Sequence, residues 1–200
     1  MIILIAGAKS GSGKTTLTRI LLKLFPHRFS VIKITPSRRY GQGIVTSSER
    51  FLKNPCFVVD RNELLKDKKD TYYFEKYRAK ETFWVRGEKT ELGGLLHTVL
   101  DLVHEDIIIE GNSFISYEKP ELIFYVQMEG TLPKADAVEL KEKAEYVIIN
   151  TLSGLYLREK NVFSVNLIQA LQDDKSIFRK DIYDIIEKRS SLNSRNSASI

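Results

Sequence analysis

The residues best placed to do chemistry stand early in the chain. The stretch "GAKSGSGKTT", Gly7 to Thr16, follows an apolar run and contains Gly13-Lys14-Thr15. A glycine-rich turn between a strand and a helix aims backbone N–H groups and the helix N-terminus at a polyphosphate. Gly11 and Gly13 allow close backbone approach, Lys14 is placed to bridge β- and γ-phosphates, and Thr15 to ligate Mg²⁺. Ser10, Gly11, Ser12, Gly13, Lys14, Thr15 and Thr16 are therefore the expected nucleotide contacts. One place is irregular. The pattern G-x-x-x-x-G-K-[ST] puts its first glycine where this chain has Ala8, and Gly7 comes one position early. Lys9 adds a further cation, which is either a solvated loop lysine or a second phosphate contact.

Three other places carry possible chemistry. "DIIIEGNS", Asp106 to Ser113, resembles a Walker B strand ending in an acid. Glu110 there is a candidate to hold metal-bound water or orient an attacking water, and with Thr15 it forms the expected metal site. In "AEYVIINTLSG", Asn150 ends a strand where nucleotide-binding proteins read the base edge. Thr151 and Ser153 replace the lysine and aspartate of N-K-x-D, so guanine is not singled out and ATP or GTP remains open; Asn150 is equally well a plain turn residue. The loop "KITPSRRYGQG" gathers Lys33, Arg38 and Arg39, and two adjacent arginines suit an anionic acceptor or partner. A solvated basic loop is the competing reading. His27, His97, His104 and Cys56 have no metal-ligand spacing.

The elements that must position these residues show in the apolar pattern. Strands are expected at 2–6, 29–35, 56–60, 81–86, 106–110, 122–127 and 146–150, several of them almost continuously apolar, as in a parallel sheet covered on both faces. Leu17, Ile20, Leu21 and Leu24 follow helical spacing, as do Leu92, Leu95, Leu96, Val99 and Val103. The alternation predicts a three-layer α/β fold, with a mostly parallel central sheet of about seven strands flanked by helices, and the phosphate-loop motif makes a P-loop NTPase fold the expectation. Residues 1–188 form that domain. From Asn161 the pattern turns helical, and 189–200 reads as a loose polar tail. "EKYRAKETFWVRG" is either a lid carrying Arg78 and Arg86 or a helix followed by a strand.

Composition narrows the classes. The net charge of +5 is spread among acids rather than concentrated, so nucleic acid is not the expected partner. No apolar run is long enough to span a bilayer, and a strand at the N-terminus is not a signal-peptide pattern. A single cysteine suits a reducing, cytoplasmic setting.

Two resemblances add to this. Aligned on Gly13-Lys14-Thr15, the loop resembles the deviant K-G-G-x-G-K-[ST] loop of the dethiobiotin synthetase, cobyrinate amidation and partitioning-ATPase group. In its dimeric members a lysine at the Lys9 position reaches phosphate across a subunit interface, which implies a possible homodimer. The order of "VIKIT", "KDTYYFEKYRAKETFWVR" with Asp70-Thr71 and Ala79, and "IEGNS" followed by "KPELIFYV" is similar to the molybdopterin-guanine dinucleotide biosynthesis protein B family. Ile34 replaces that family's histidine, and Arg78 and Lys80 flank Ala79. The resemblance implies Mg²⁺-dependent nucleoside triphosphate binding, weak NTPase activity through Lys14 and Glu110, and a role in cofactor biosynthesis or delivery with a partner protein; the deviant-loop resemblance adds Lys9 to the catalytic residues it implies. The family order also places Asp70 beside the acceptor. Two alternatives stand next to it: a small-molecule or nucleotide kinase with an anionic acceptor held by Lys33, Arg38 and Arg39, and a nucleotide-switched dimeric binding protein.

Overall fold

The computed structural model describes residues 1–39, 41–47 and 63–197, with side-chain surroundings up to residue 192. Its strands are β1 (Ile2–Gly7), β2 (Phe29–Pro36), β3 (Gly43–Thr46), β4 (Thr82–Gly87), β5 (Asp106–Glu110), β6 (Leu122–Met128), β7 (Tyr146–Asn150), β8 (Leu157–Glu159) and β9 (Val162–Val165). They form one sheet in the order β3-β4-β2-β5-β1-β6-β7-β9-β8. Only the two edge strands, β3 and β8, run antiparallel to their neighbours. The strand before the phosphate loop is central, paired with β5 on one side and β6 on the other.

Strand alternation divides the buried residues between two cores, one on each face. In β1, Ile3 and Ile5 enter one core while Leu4 and Ala6 enter the other. In β2, Phe29 and Val31 point to the first and Ile32 and Ile34 to the second. The first core is closed by α1 (Lys14–Leu24), α5 (Leu167–Gln172), α6 (Ile177–Ser197) and Phe74 of α2 (Asp70–Lys76). The second is closed by α3 (Lys89–Leu100) and α4 (Ala135–Lys143). This is a three-layer α/β architecture with a mostly parallel central sheet, as the sequence pattern leads one to expect. The same parity puts Lys33 and Glu110 on the α1 face, two residues along from Val31 and Ile108 respectively.

Several boundaries differ from the sequence reading. Nine strands, not about seven, make up the sheet among the described residues. β9 lies where the pattern looked helical, because only Asn166 separates it from α5 and their apolar residues run together. β8 is exposed throughout, so no burial alternation marks it. β3 is a fully buried four-residue strand within a polar segment. α6 continues to Ser197, so the stretch expected as a loose tail is helical almost to its end. It is docked by Phe178, Ile182 and Ile186, and Arg28 reaches Glu187 (2.6 Å) and Ser190 on the same helix. The expected strand at 56–60, with Cys56, lies outside the described residues.

Candidate nucleotide site

The phosphate loop is shaped from both sides. Ala8 is fully buried in the second core, donates its N–H to Val126 O (3.0 Å) and accepts from Lys134 N (3.2 Å). It extends the sheet rather than opening the turn, which explains why no glycine is needed there. Gly7 takes up the steric demand instead: a Cβ on it would stand 2.6 Å from Ser12 Oγ and 3.0 Å from the Lys14 side chain. Gly13 has φ 110°, and a Cβ there would meet Asn150 Nδ2 and Leu167 Cδ1 at 2.8 Å. Left-handed backbone and close approach both call for glycine.

Beside the loop lies a charged cluster. Lys14 Nζ donates to Lys9 O at 3.0 Å. Glu110, only 3% exposed, accepts from Thr15 Oγ1 (3.0 Å) and Lys33 Nζ (3.0 Å) at Oε1, and from Thr18 Oγ1 (3.3 Å) at Oε2. A carboxylate buried this far needs compensation, and Lys33 supplies it. Lys33 also pairs with Asp70, so one ammonium joins two carboxylates. Burial works against the charge on Lys33, but Glu110 and Asp70 more than offset it and hold its pKa above the ordinary lysine value. Burial pulls Lys14 below that value, with Glu110 opposing and Lys33 adding to the fall. Asp70 is brought here by α2, which is fastened to α1 by Arg19: its guanidinium lies 4.5 Å and 4.6 Å from the rings of Tyr73 and Tyr77 and donates to Tyr77 Oη. Thr71 Oγ1 donates to Leu64 O and fixes the preceding turn.

These groups line one cavity of about 390 Å³: Ser10, Gly11, Gly13, Lys14, Thr15 and Thr16 of the loop with Lys33, Asp70 and Glu110. Thr15 Oγ1 and the Glu110 carboxylate are hard oxygen donors within 3.0 Å of each other, which fits Mg²⁺. No group of three His, Cys, Asp or Glu that could hold a metal occurs among the described residues, so such an ion would be completed by phosphate oxygens and water.

Other expected residues lie elsewhere or act differently. Arg38 pairs with Glu88 at 2.8 Å on the surface, and Arg39 is exposed; neither lines this cavity. Lys9 is exposed, and its described contact is through its carbonyl. Asn150 donates to Ser12 O (3.3 Å) and accepts from Leu167 N (3.2 Å), tying the loop to the start of α5. Arg86 is a buried strand residue whose guanidinium lies 5.0 Å from the Trp84 ring, and Arg78 sits in the turn between α2 and β4, so this segment is helix and strand. Sequence reasoning passed over Thr18 and Asn112. Thr18 lies one helical turn after Lys14, a spacing that marks it in retrospect. The Asn112 amide bonds both N and O of Gly7 at 2.9 Å, clamping the loop entrance to the strand end that carries Glu110.

No protein-family model matches the chain, and no curated protein matches it. Among solved structures, the "apo" form of LpxK from Aquifex aeolicus in complex with ATP is similar at 16% identity with a TM-score of 0.49. The match covers 80% of this chain and 52% of that one, so the chain spans about half the length of that structure.

Proposed function

We propose that the chain binds a Mg²⁺-nucleoside triphosphate and transfers its terminal phosphoryl group, in the simplest case to water. The observation that carries this reading is the single cavity in which the phosphate loop faces Lys33, Asp70 and Glu110. Loop N–H groups would cradle the phosphates, and Lys14 would exchange Lys9 O for phosphate oxygens. Thr15 and Glu110 would hold the metal, whose contribution is to neutralise charge on the phosphates. Glu110 would also fix the water shell around the γ-phosphate. In hydrolysis, water oxygen bonds to the γ-phosphorus as the bond to the bridging oxygen breaks, leaving nucleoside diphosphate and inorganic phosphate.

The test is Lys14→Ala. It should lower triphosphate affinity by at least about 100-fold, the loss expected when charge-assisted contacts to phosphate disappear, while the circular dichroism spectrum is retained. Unchanged affinity in the folded variant would refute the reading.

Transfer to an acceptor other than water is favoured by one further observation, a second cavity that shares Lys33 and Asp70 with the first. Handling of a molybdopterin-type cofactor is supported by the motif order through Asp70-Thr71 and Glu110-Gly111.

A further inference from the structure

The ladder between β1 and β5 ends on a side chain. Gly111 N donates to Ile5 O at 3.3 Å, so Ile5 turns its peptide groups toward β5, whereas Ala8 N turns the other way and donates to Val126 O of β6 at 3.0 Å. Alternation along the strand turns Gly7 back toward β5. The register of the two strands ends at Ile5 and Glu110, however, and from Asn112 the chain coils into a short helical turn. The Asn112 carboxamide meets Gly7 instead: Gly7 N donates to Oδ1, and Nδ2 donates to Gly7 O, both at 2.9 Å. A carboxamide carries the donor and the acceptor of a peptide group, so one side chain supplies the rung that β5 leaves out.

Three consecutive residues thereby hold three parts of the site. Glu110 binds Thr15 and Thr18 of α1 and Lys33 of β2. Gly111 lies against β2 so closely that a Cβ on it would stand 3.1 Å from Ile34 Cβ and from Ile34 O. Asn112 holds Gly7, where the loop leaves β1. The turn behind them is anchored, with Phe114 fully buried in the second core and Tyr117 Oη donating to Lys89 O at 2.6 Å. We propose that Asn112 is a positioning residue for the metal: by fastening Gly7 to the segment that carries Glu110, it sets the Glu110 carboxylate against the Thr15 hydroxyl and so the affinity of that pair for Mg²⁺. Its part in metal use rests on the nucleotide reading of the phosphate loop; the clamp on Gly7 does not. An ion taking an oxygen from each of Thr15 and Glu110 displaces the hydrogen bond between them, which removes one tie between the loop and β5. Asn112 stands outside the cavity and keeps both of its bonds when the cavity is filled.

Asn112→Ala removes both bonds without changing charge. Measured without nucleotide, the Gly7 amide should exchange its hydrogen about tenfold faster than in the parent, as expected when the bond that protects it is lost. With saturating ATP, the Mg²⁺ concentration for half-maximal hydrolysis should rise about tenfold, the lower end of what losing a group that orients metal ligands costs. ATP affinity measured in EDTA should stay within about twofold, because the loop contacts themselves are retained. Asn112→Ser, too short to bridge Gly7, should behave as the alanine variant does and serves in its place if that variant does not fold. Ser30→Ala is the control for stability alone. It removes a 2.7 Å hydrogen bond to Glu105 at the start of β2, the opposite end of that strand from the loop. Its thermal midpoint should fall while its Mg²⁺ dependence stays that of the parent. Unchanged Gly7 exchange in the Asn112 variants overturns the clamp. Faster exchange with an unchanged Mg²⁺ requirement overturns the metal role and makes Asn112 a fastener only. A parent that binds no ATP refutes the phosphate-loop reading and the metal role with it, and the exchange measurement then decides the clamp by itself.

Discussion

Glu110 concentrates the chemistry of the site in two oxygens. Oε1 accepts from both Thr15 and Lys33, and Oε2 from Thr18. Glu110→Gln keeps the shape and removes the charge, so its effect should divide between turnover and stability. Hydrolysis should slow on the order of 100-fold, as for loss of a group that positions water or metal in the transition state. Triphosphate affinity should change by less than about threefold if the loop supplies most of the binding. Leaving Lys33 with a single carboxylate should cost about 1–3 kcal/mol, visible as a lower thermal midpoint. Hydrolysis at the parental rate would reduce Glu110 to a structural counter-ion of Lys33.

At the scale of elements, Asn150 shows how a residue expected to read a base can serve as a fastener. Its amide ties Ser12 O to Leu167 N, and β7 thereby holds the loop against α5. Asn150→Ala should weaken ATP and GTP binding in equal proportion and cost about 1–2 kcal/mol of stability. A changed ratio between the two nucleotides in parallel titrations would restore the base-reading role. What the sequence made legible follows the same division. β5 could be bounded from its apolar run because both faces of the sheet are covered there. β8 could not, since Leu157 and Val162 beside it are exposed and carry no inward–outward pattern. At the site, Lys14, Thr15 and Glu110 were legible as motif positions. The alliance of Lys33 with Asp70 and the meeting of Lys33 with Trp84 were not, because they arise from strand register and the docking of α2, which no local spacing encodes.

The molecule as a whole bears on whether one copy is sufficient. Lys9 lies exposed at the loop and contributes its carbonyl to the fold, while Ala8 completes the sheet. The loop is thus built within one chain. Lys9→Ala should leave hydrolysis within about twofold, since exposed charges contribute little, and sizing with a non-hydrolysable triphosphate should give the mass seen without it. A nucleotide-dependent doubling of mass, together with a large loss of hydrolysis in the variant, would establish action across a dimer. The division of each strand between two cores has a consequence for how this protein tolerates changes of length. Fold and site depend on a single parity: an even step along β2 leads from Val31 in the α1-side core to Lys33 in the loop cavity, and an even step along β5 leads from Ile108 to Glu110 in the same cavity. Loss of one residue within either strand would turn Lys33 or Glu110 toward α3 and α4 and at the same time invert the apolar faces that hold the layers together. Such deletions should abolish folding and nucleotide-dependent activity together, whereas a change of length in the connections leaves this parity untouched.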